Sequence, residues 1–340
     1  MVTAGQPASA GAATSNQPSS SPVARSVTAS GEFLVAADPA AQAIYVYRAS
    51  DLVRTGQLTG LGLSSHGGTV QLPDGRLIFV DDTNGTIAAM RVDADGRPRI
   101  VNNVSIPGGA WPGAAWAVTD PQQRYFAVSG EDEGNTRSVT IIDLASFAAH
   151  QIKIPARPDA TGRVPEMQVY LAGSPLQLLV TTGGAFISYP LAPILQGHTP
   201  EPTSSVPVGA STHGPVVSRD GRRVFSTTAD GFNGATINAR KLSRPRSVAY
   251  SSTRNVVQLY RPRLAPDDRH VWGSVAEDTG LAPAQWADTR NDVNLIDTVR
   301  FTSKLTRLPD GIAGRLAISS RYAAVTTTSP DGDVLTLLDA

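Results

Sequence analysis

A short apolar run that opens just after a turn signal, most often on an arginine, recurs along the whole chain. It reads EFLVA from Glu32, RLIFV from Arg76, RYFAV from Arg124, PLQLLV from Pro175, RRVFS from Arg222, RHVWG from Arg269 and RYAAV from Arg321. Successive starts are 44, 48, 51, 47, 47 and 52 residues apart. A near-constant period of this length marks a chain built from one repeated supersecondary unit, and it constrains the fold more than any composition does. Two copies share a longer phrase: SSHGGTVQLPDGRLIF from Ser64 to Phe79, and STHGPVVSRDGRRVF from Ser211 to Phe225.

Each period follows one grammar. An apolar stretch such as GTVQL, AAWAV or GPVVS leads into a turn, Pro73-Asp74-Gly75, Asp120-Pro121, Arg219-Asp220-Gly221 or Pro266-Asp267-Asp268. Asp, Pro and Gly favour turns through side-chain-to-backbone bonding, fixed φ and permitted positive φ. The arginine-led run follows, then a third run such as AIYVY, TIAAM, SVTIIDL or DVNLIDT, and a fourth such as GQLTG, NVSIPG, QIKIPA, SVPVG or KLTRLP. These runs are short, rich in Val, Ile, Thr and aromatics, and bounded by turn residues, so they read as strands. Four short strands per period predict an all-β chain, a seven-bladed β-propeller of four-stranded antiparallel blades. No long amphipathic helix is expected, and DLASFAAHQ is long enough for only a turn or two.

The last copy holds RYAAVTTT and DVLTLLDA but no fourth run, so the last blade is expected to be incomplete. VARSVTAS, from Val23 to Ser30, can serve as the first strand of blade one or as the missing strand of the last, but not both. Residues 1–25, rich in Ala, Ser, Thr, Pro, Gly and Gln, are expected to form a disordered leader, with the propeller over 26–340. The leader lacks the basic and apolar regions of an intact signal peptide, yet such segments often follow a cleaved one, so an extracytoplasmic location is expected over a cytoplasmic one. Lys+Arg and Asp+Glu are 29 each, which gives no basic surplus for nucleic acid or an anionic membrane. The absence of cysteine excludes disulfides and thiolate chemistry, and no stretch is apolar enough for a transmembrane helix. A monomer is expected.

The strings LPDGRLIFVDDTNGTIAAMRVD, DPQQRYFAVSG with SVTIIDL, and DVLTLLD carry a family resemblance over about Glu32 to Ala340. They resemble the seven-bladed propellers of the YVTN-repeat, or lactonase-like, group, although the Tyr-Val-Thr-Asn string itself is replaced by FVDD and VTTT. The resemblance implies the fold. The group includes enzymes, binding proteins and surface proteins, so it implies no single activity.

Counting back from the turns places His66, Trp111 beside Pro112, His213 and Tyr260 at comparable positions before the first strand of their copies; the fourth copy lacks the turn aspartate, but Glu166 precedes its run MQVYL, and in the last copy Arg315 precedes LAISS. In a propeller these positions face the mouth of the central channel. Histidine can act as base or acid near neutral pH. Glu166 can assist it, Arg315 or Arg261 can grip a carboxylate, and Trp111 and Tyr260 can stack on an organic ring. His66, Glu166 and His213 also have the two-histidine, one-carboxylate composition of many divalent-metal sites. Equally, a His-Gly pair can serve only the backbone. Three functions stay open: a module binding a small molecule or protein at the funnel face, a lactonase-like hydrolase or lyase, and an exported metal-binding protein. His150, His198 and His270 fall outside the ring. Asp81–Thr86 and Glu131–Asn135 read as ordinary turns rather than calcium loops. ARKLSRPRSVAY, from Ala239 to Tyr250, is a basic run that reads as a solvated hairpin or a small anion-binding edge.

Overall fold

The computed structural model describes residues 23–339 except 29–30, 39–40, 49, 52, 63–68, 82–83, 107–116, 131–135, 159–161, 163–166, 209–213, 228–230, 251–255, 278–291, 308–311, 319–321 and 330–331. The described residues form seven antiparallel sheets, each made of strands consecutive in the chain. The first holds β1 (Val23–Thr28), β2 (Gly31–Asp38), β3 (Ala43–Arg48) and β4 (Arg54–Thr59). The second holds β5 (Thr69–Gln71), β6 (Leu77–Asp81), β7 (Thr86–Val92) and β8 (Pro98–Ser105). The third holds β9 (Ala117–Thr119), β10 (Tyr125–Ser129), β11 (Thr136–Asp143) and β12 (Ala149–Pro155). The fourth holds β13 (Val169–Ala172), β14 (Gln177–Thr182), β15 (Ala185–Pro190) and β16 (Ser204–Pro207), with the single turn of helix α1 (Leu191–Leu195) after β15. The fifth holds β17 (Val216–Val217), β18 (Arg223–Thr227), β19 (Phe232–Asn238) and β20 (Lys241–Val248). The sixth holds β21 (Val256–Leu264), β22 (His270–Glu277), β23 (Asp292–Asp297) and β24 (Thr302–Arg307). The seventh has three strands, β25 (Ile312–Ile318), β26 (Tyr322–Ser329) and β27 (Gly332–Asp339).

The first strands of successive sheets lie against one another, β9 with β13, β13 with β17, β17 with β21 and β21 with β25. The sheets therefore pack face to face around a common axis, as propeller blades do. Burial follows from this. The second and third strands are covered on both faces: β6 and β14 are buried throughout, and β11 is buried from Arg137 to Ile142. Fourth strands alternate covered and exposed positions along much of their length, buried or half-buried against exposed in β12 and half-buried against exposed in β16, because only one face meets a neighbour. Pro245 is tolerated in β20 because an outer strand has an edge free of ladder bonds.

The apolar core is divided among the seams. One cluster joins Phe33 and Val46 of the first sheet to Leu77 and Phe79 of the second. Others join Ile87 to Phe126, Ile141 to Leu178, Leu179 to Val224, and Phe225 to Ile296, each pair spanning consecutive sheets. Fully burying such a side chain contributes about 1.5–3 kcal/mol.

VARSVT forms β1 and pairs with β2, so it is the first strand of the first sheet and not a completion of the seventh. This strand opens at Val23, three residues before the boundary expected at 26. Residues 1–22, and with them most of the expected leader, lie outside the described residues. DLASFAAHQ forms a turn at Leu144–Ser146 and enters β12, while the short helix falls at Leu191.

The Asp-Gly-Arg phrase is a turn device. Gly75 N–H donates to Leu72 O at 3.0 Å, and Asp74 accepts from the Arg76 N–H at 3.0 Å and from its Nε at 2.6 Å. Arg76 then crosses to the third sheet and donates to Leu144 O at 2.7 Å. In the fifth sheet Gly221 N–H donates to Ser218 O and Asp220 accepts from Arg222 N–H, but the turn is one residue longer. Arg223, not Arg222, therefore does the crossing, donating to Asp268 O at 2.7 Å and Oδ2 at 2.9 Å. Asp267 serves the sixth sheet in the same way, through Arg269 N–H and His270 N–H.

These carboxylates couple the fold to pH. Burial pushes the Asp74, Asp220 and Asp267 carboxyls up, but their N–H, arginine, serine and histidine partners outweigh it and hold all three below the ordinary value. Asp143 is lowered chiefly by the Ser146 N–H, and Asp297 is lowered strongly by the Arg269 guanidinium. A carboxyl with a depressed folded pKa adds stability that is fully present above its unfolded value and disappears as pH falls through the folded one. The urea midpoint is expected to stay level from about pH 7 to 5 and to fall steeply below about pH 4. A midpoint unchanged at pH 3 would contradict this role.

Candidate functional site

The residues expected at the channel mouth belong to the segments that lead into the first strands. His66, Trp111, Glu166 and His213 lie outside the described residues. For Tyr260, Arg261 and Arg315 the backbone alone is described. The position of Arg315 differs from the sequence expectation. It lies inside β25, at an irregularity between Ala313 and Leu316, rather than ahead of the strand. Tyr260 also lies inside its strand, and Arg261 falls in a register shift between Tyr260 and Arg263 of β21. Short bulged stretches are invisible to counting, because the extra residue leaves the apolar pattern nearly intact.

The alignment that placed Trp111 also shifts. Asp120 accepts from Arg124 N–H at 2.6 Å and Tyr125 N–H at 2.8 Å, yet it stands at the first position of its turn, where Gln123 N–H donates to Asp120 O. Gln122, two residues later, matches Asp74. The corresponding count back reaches Ala114 instead of Pro112. The two histidines keep their equivalence by another measure: His66 precedes β5, and His213 precedes β17, by three residues each.

What is described of the mouth is mainly the layer that supports it. Gly214, next to His213, has φ +76°, and a Cβ there would stand 2.1 Å from Cδ of Pro262 on β21. The glycine of this His-Gly pair is therefore dictated by the next sheet. Beneath it, the ends of the strands nearest the mouth carry buried polar groups. Asp81 accepts from Gly62 N–H at 2.9 Å and from the Asn84 side chain at 2.6 Å. Gln168 is buried at the start of the fourth sheet. Its Oε1 accepts from Tyr170 Oη at 2.9 Å and Ser226 Oγ at 3.3 Å, its backbone N–H donates to Thr181 Oγ1 at 3.0 Å, and its amide Nε2 has no partner among the described residues. Burial raises the Tyr170 pKa well above the ordinary tyrosine value, so this hydroxyl is a fixed neutral donor. Thr182, Thr227 and Asn233 are buried at the same end. Nothing in the sequence separated Gln168 from the apolar MQVYL run that contains it.

The opposite end of the sheets carries a second feature. A cavity of about 660 Å³ is lined by Tyr125, Leu176, Leu191 and Leu195 with Arg124, Asp220 and Arg222. His270 lies at this end, its Nδ1 2.5 Å from Asp267 Oδ2, and His150 sits on β12. Among the described residues no cluster of metal-ligating side chains occurs, and no helix is long and apolar enough to cross a membrane.

No known family profile matches the chain, and no curated protein matches it in sequence. Solved structures match in fold. A putative 6-phosphogluconolactonase from Bacteroides fragilis aligns at TM-score 0.58 and 13% identity, over 93% of this chain and 92% of its own. The periplasmic gluconolactonase of Pseudomonas aeruginosa aligns at 0.57 and 15%, over 93% and 94%. The β-propeller domain of Cps50 (Swd1) from Myceliophteria thermophila aligns at 0.63 and 11%, over 96% and 100%. Strand order, seam packing and these likenesses together make the chain a β-propeller that resembles the lactonase-like propellers.

Proposed function

We propose that this propeller is a binding module that takes a small molecule or a protein segment at the mouth, where the chain approaches its first strands. The observation that carries the reading is the layer of buried polar groups at that end, with the Gln168 amide buried and without a partner among the described residues, two positions beyond Glu166 in the chain. Buried polar groups are retained at a cost, and they concentrate where a fixed arrangement of donors and acceptors is needed. Secretion, a single-chain state and seven blades belong to the same proposal.

The likeness to two lactonase-named propellers favours a second reading, hydrolysis of a lactone. His66 or His213 would be the base, Glu166 its helper and Arg315 the carboxylate clamp. In a third reading His66, Glu166 and His213 would hold a divalent metal.

One experiment separates them. A panel of sugar lactones and sugar acids is screened by melting temperature and by acid release, with metal analysis of the same protein. Binding predicts a saturable melting shift without turnover, lost in His66→Ala, His213→Ala. Lactone hydrolysis predicts turnover abolished in Glu166→Gln with unchanged melting. A stoichiometric metal lost in the double variant supports the third reading. A melting response untouched by every one of these substitutions would remove the mouth as the site.

A further inference from the structure

The outer strand of the fifth sheet carries an irregularity that the ladder itself does not require. Gly234 pairs with Arg246 and Thr236 with Ser243, so Arg244 and Pro245 both stand opposite Ala235. Arg244 has φ +51°, a left-handed conformation that is costly for a residue with a side chain and persists where its surroundings impose it. The bulge brings Arg244 and Arg246 to a cavity of about 200 Å³ at the seam between the fifth and sixth sheets, which Arg223 also lines.

Two of these arginines are held. Arg223 donates to Thr298 Oγ1 at 3.1 Å and to Asp268. Arg246 donates to Val299 O at 2.6 Å and Arg300 O at 3.0 Å, with its guanidinium 4.4 Å from the centre of the Phe301 ring. Carbonyl partners orient a guanidinium without cancelling its charge. Arg244 is exposed and makes no ion pair among the described residues. Among the described residues only Arg223 of these three has an ion-paired carboxylate, Asp268, while Arg244 and Arg246 have none, and the rings of Phe225 and Phe301 keep part of the lining free of water. The space is smaller than the roughly 300 Å³ at which pockets for organic ligands begin.

We propose that this seam cavity binds a compact dianionic oxyanion of the phosphate class, free or as the phosphoryl group of a small molecule, with Arg244 as the residue that grips it. A dianion matches the two guanidinium groups that lack a carboxylate partner, and a tetrahedral anion offers oxygens to donors arriving from several strands. The cavity lies at the end of the sheets opposite the mouth. It is independent of the mouth reading, and the basic run around Arg244 gains a role that a solvated edge would lack.

The test is a titration of inorganic phosphate at constant ionic strength against chloride, read by melting temperature and by broadening of the phosphorus resonance. Wild type is expected to show a saturable shift, Arg244→Gln at least a tenfold weaker one, and Arg244→Lys an intermediate one, all with the same melting temperature in chloride. A phosphate monoester added in competition distinguishes a phosphoryl group from the free ion, and either result supports the site. A shift no larger than in chloride, or one equal in wild type and Arg244→Gln, would overturn the proposal.

Discussion

Phe225→Ala is expected to lower unfolding free energy by about 3–5 kcal/mol, among the largest effects of any single substitution in this chain. The ring is 1% exposed, stacks on Phe232 at 5.4 Å between centroids, and lies 6.4 Å from Phe301 of the sixth sheet. Its neighbours in the core are Val271 and Ile296, also of the sixth sheet. Removing it loses the transfer free energy of the ring and leaves a cavity that rigid sheets cannot collapse into. Gly234 shows how tightly the space is filled, since a Cβ there would stand 2.7 Å from both Phe225 and Phe301. Urea unfolding of Phe225→Ala and Phe225→Leu checks the expectation, with the leucine recovering more than half of the loss. A cost below about 1 kcal/mol for the alanine would mean that this seam contributes little.

Gly214→Ala should be nearly as damaging although it adds a single methyl. The left-handed conformation costs a residue with a Cβ about 1–2 kcal/mol, and overpacking adds about 1–3 kcal/mol more. The listener to that methyl is the Pro262 ring, with Cδ at 2.1 Å and Cγ at 2.5 Å, and a proline ring cannot rotate away. Gly60→Ala isolates the two terms. Its φ of +77° is nearly the same, but no atom of the described residues lies within 4 Å of the added Cβ, so only the conformational part should be seen. Equal losses at the two glycines would show that contact with Pro262 is not what fixes Gly214. If the proposed binding at the mouth holds, replacement of Gly214, next to His213, should also weaken it by more than the loss of stability explains.

The repeat made the sheets legible because a propeller asks for the same short apolar strands, in the same order, in every period. The aspartates of the turns were legible for a chemical reason: a carboxylate beside two exposed N–H groups is one of few ways to close such a turn. The arginines were legible only in part. Arg76 and Arg222 align by sequence, yet a turn one residue longer hands the crossing role to Arg223. Asp120 aligns with Asp74 by type but stands two positions earlier in its turn, which moved the count toward the mouth. The bulges at Arg261, Arg244 and Arg315 left no mark in composition, because an extra residue in a strand changes the register and not the pattern. Gln168 was hidden inside an apolar run, where only three-dimensional neighbours reveal an unpartnered amide.

Dividing the core among seams has a consequence for synthesis on the ribosome. A sheet that has just left the exit tunnel has one apolar face still waiting for a partner, and that partner lies one further period along the chain. At about 5–20 residues per second the wait is several seconds. During that time Ile141 before the fourth sheet, or Phe225 before the sixth, belongs to a half-covered surface. Maturation of each sheet thus trails its own translation by one unit, and slowing the ribosome within a period prolongs the exposure of the period before it.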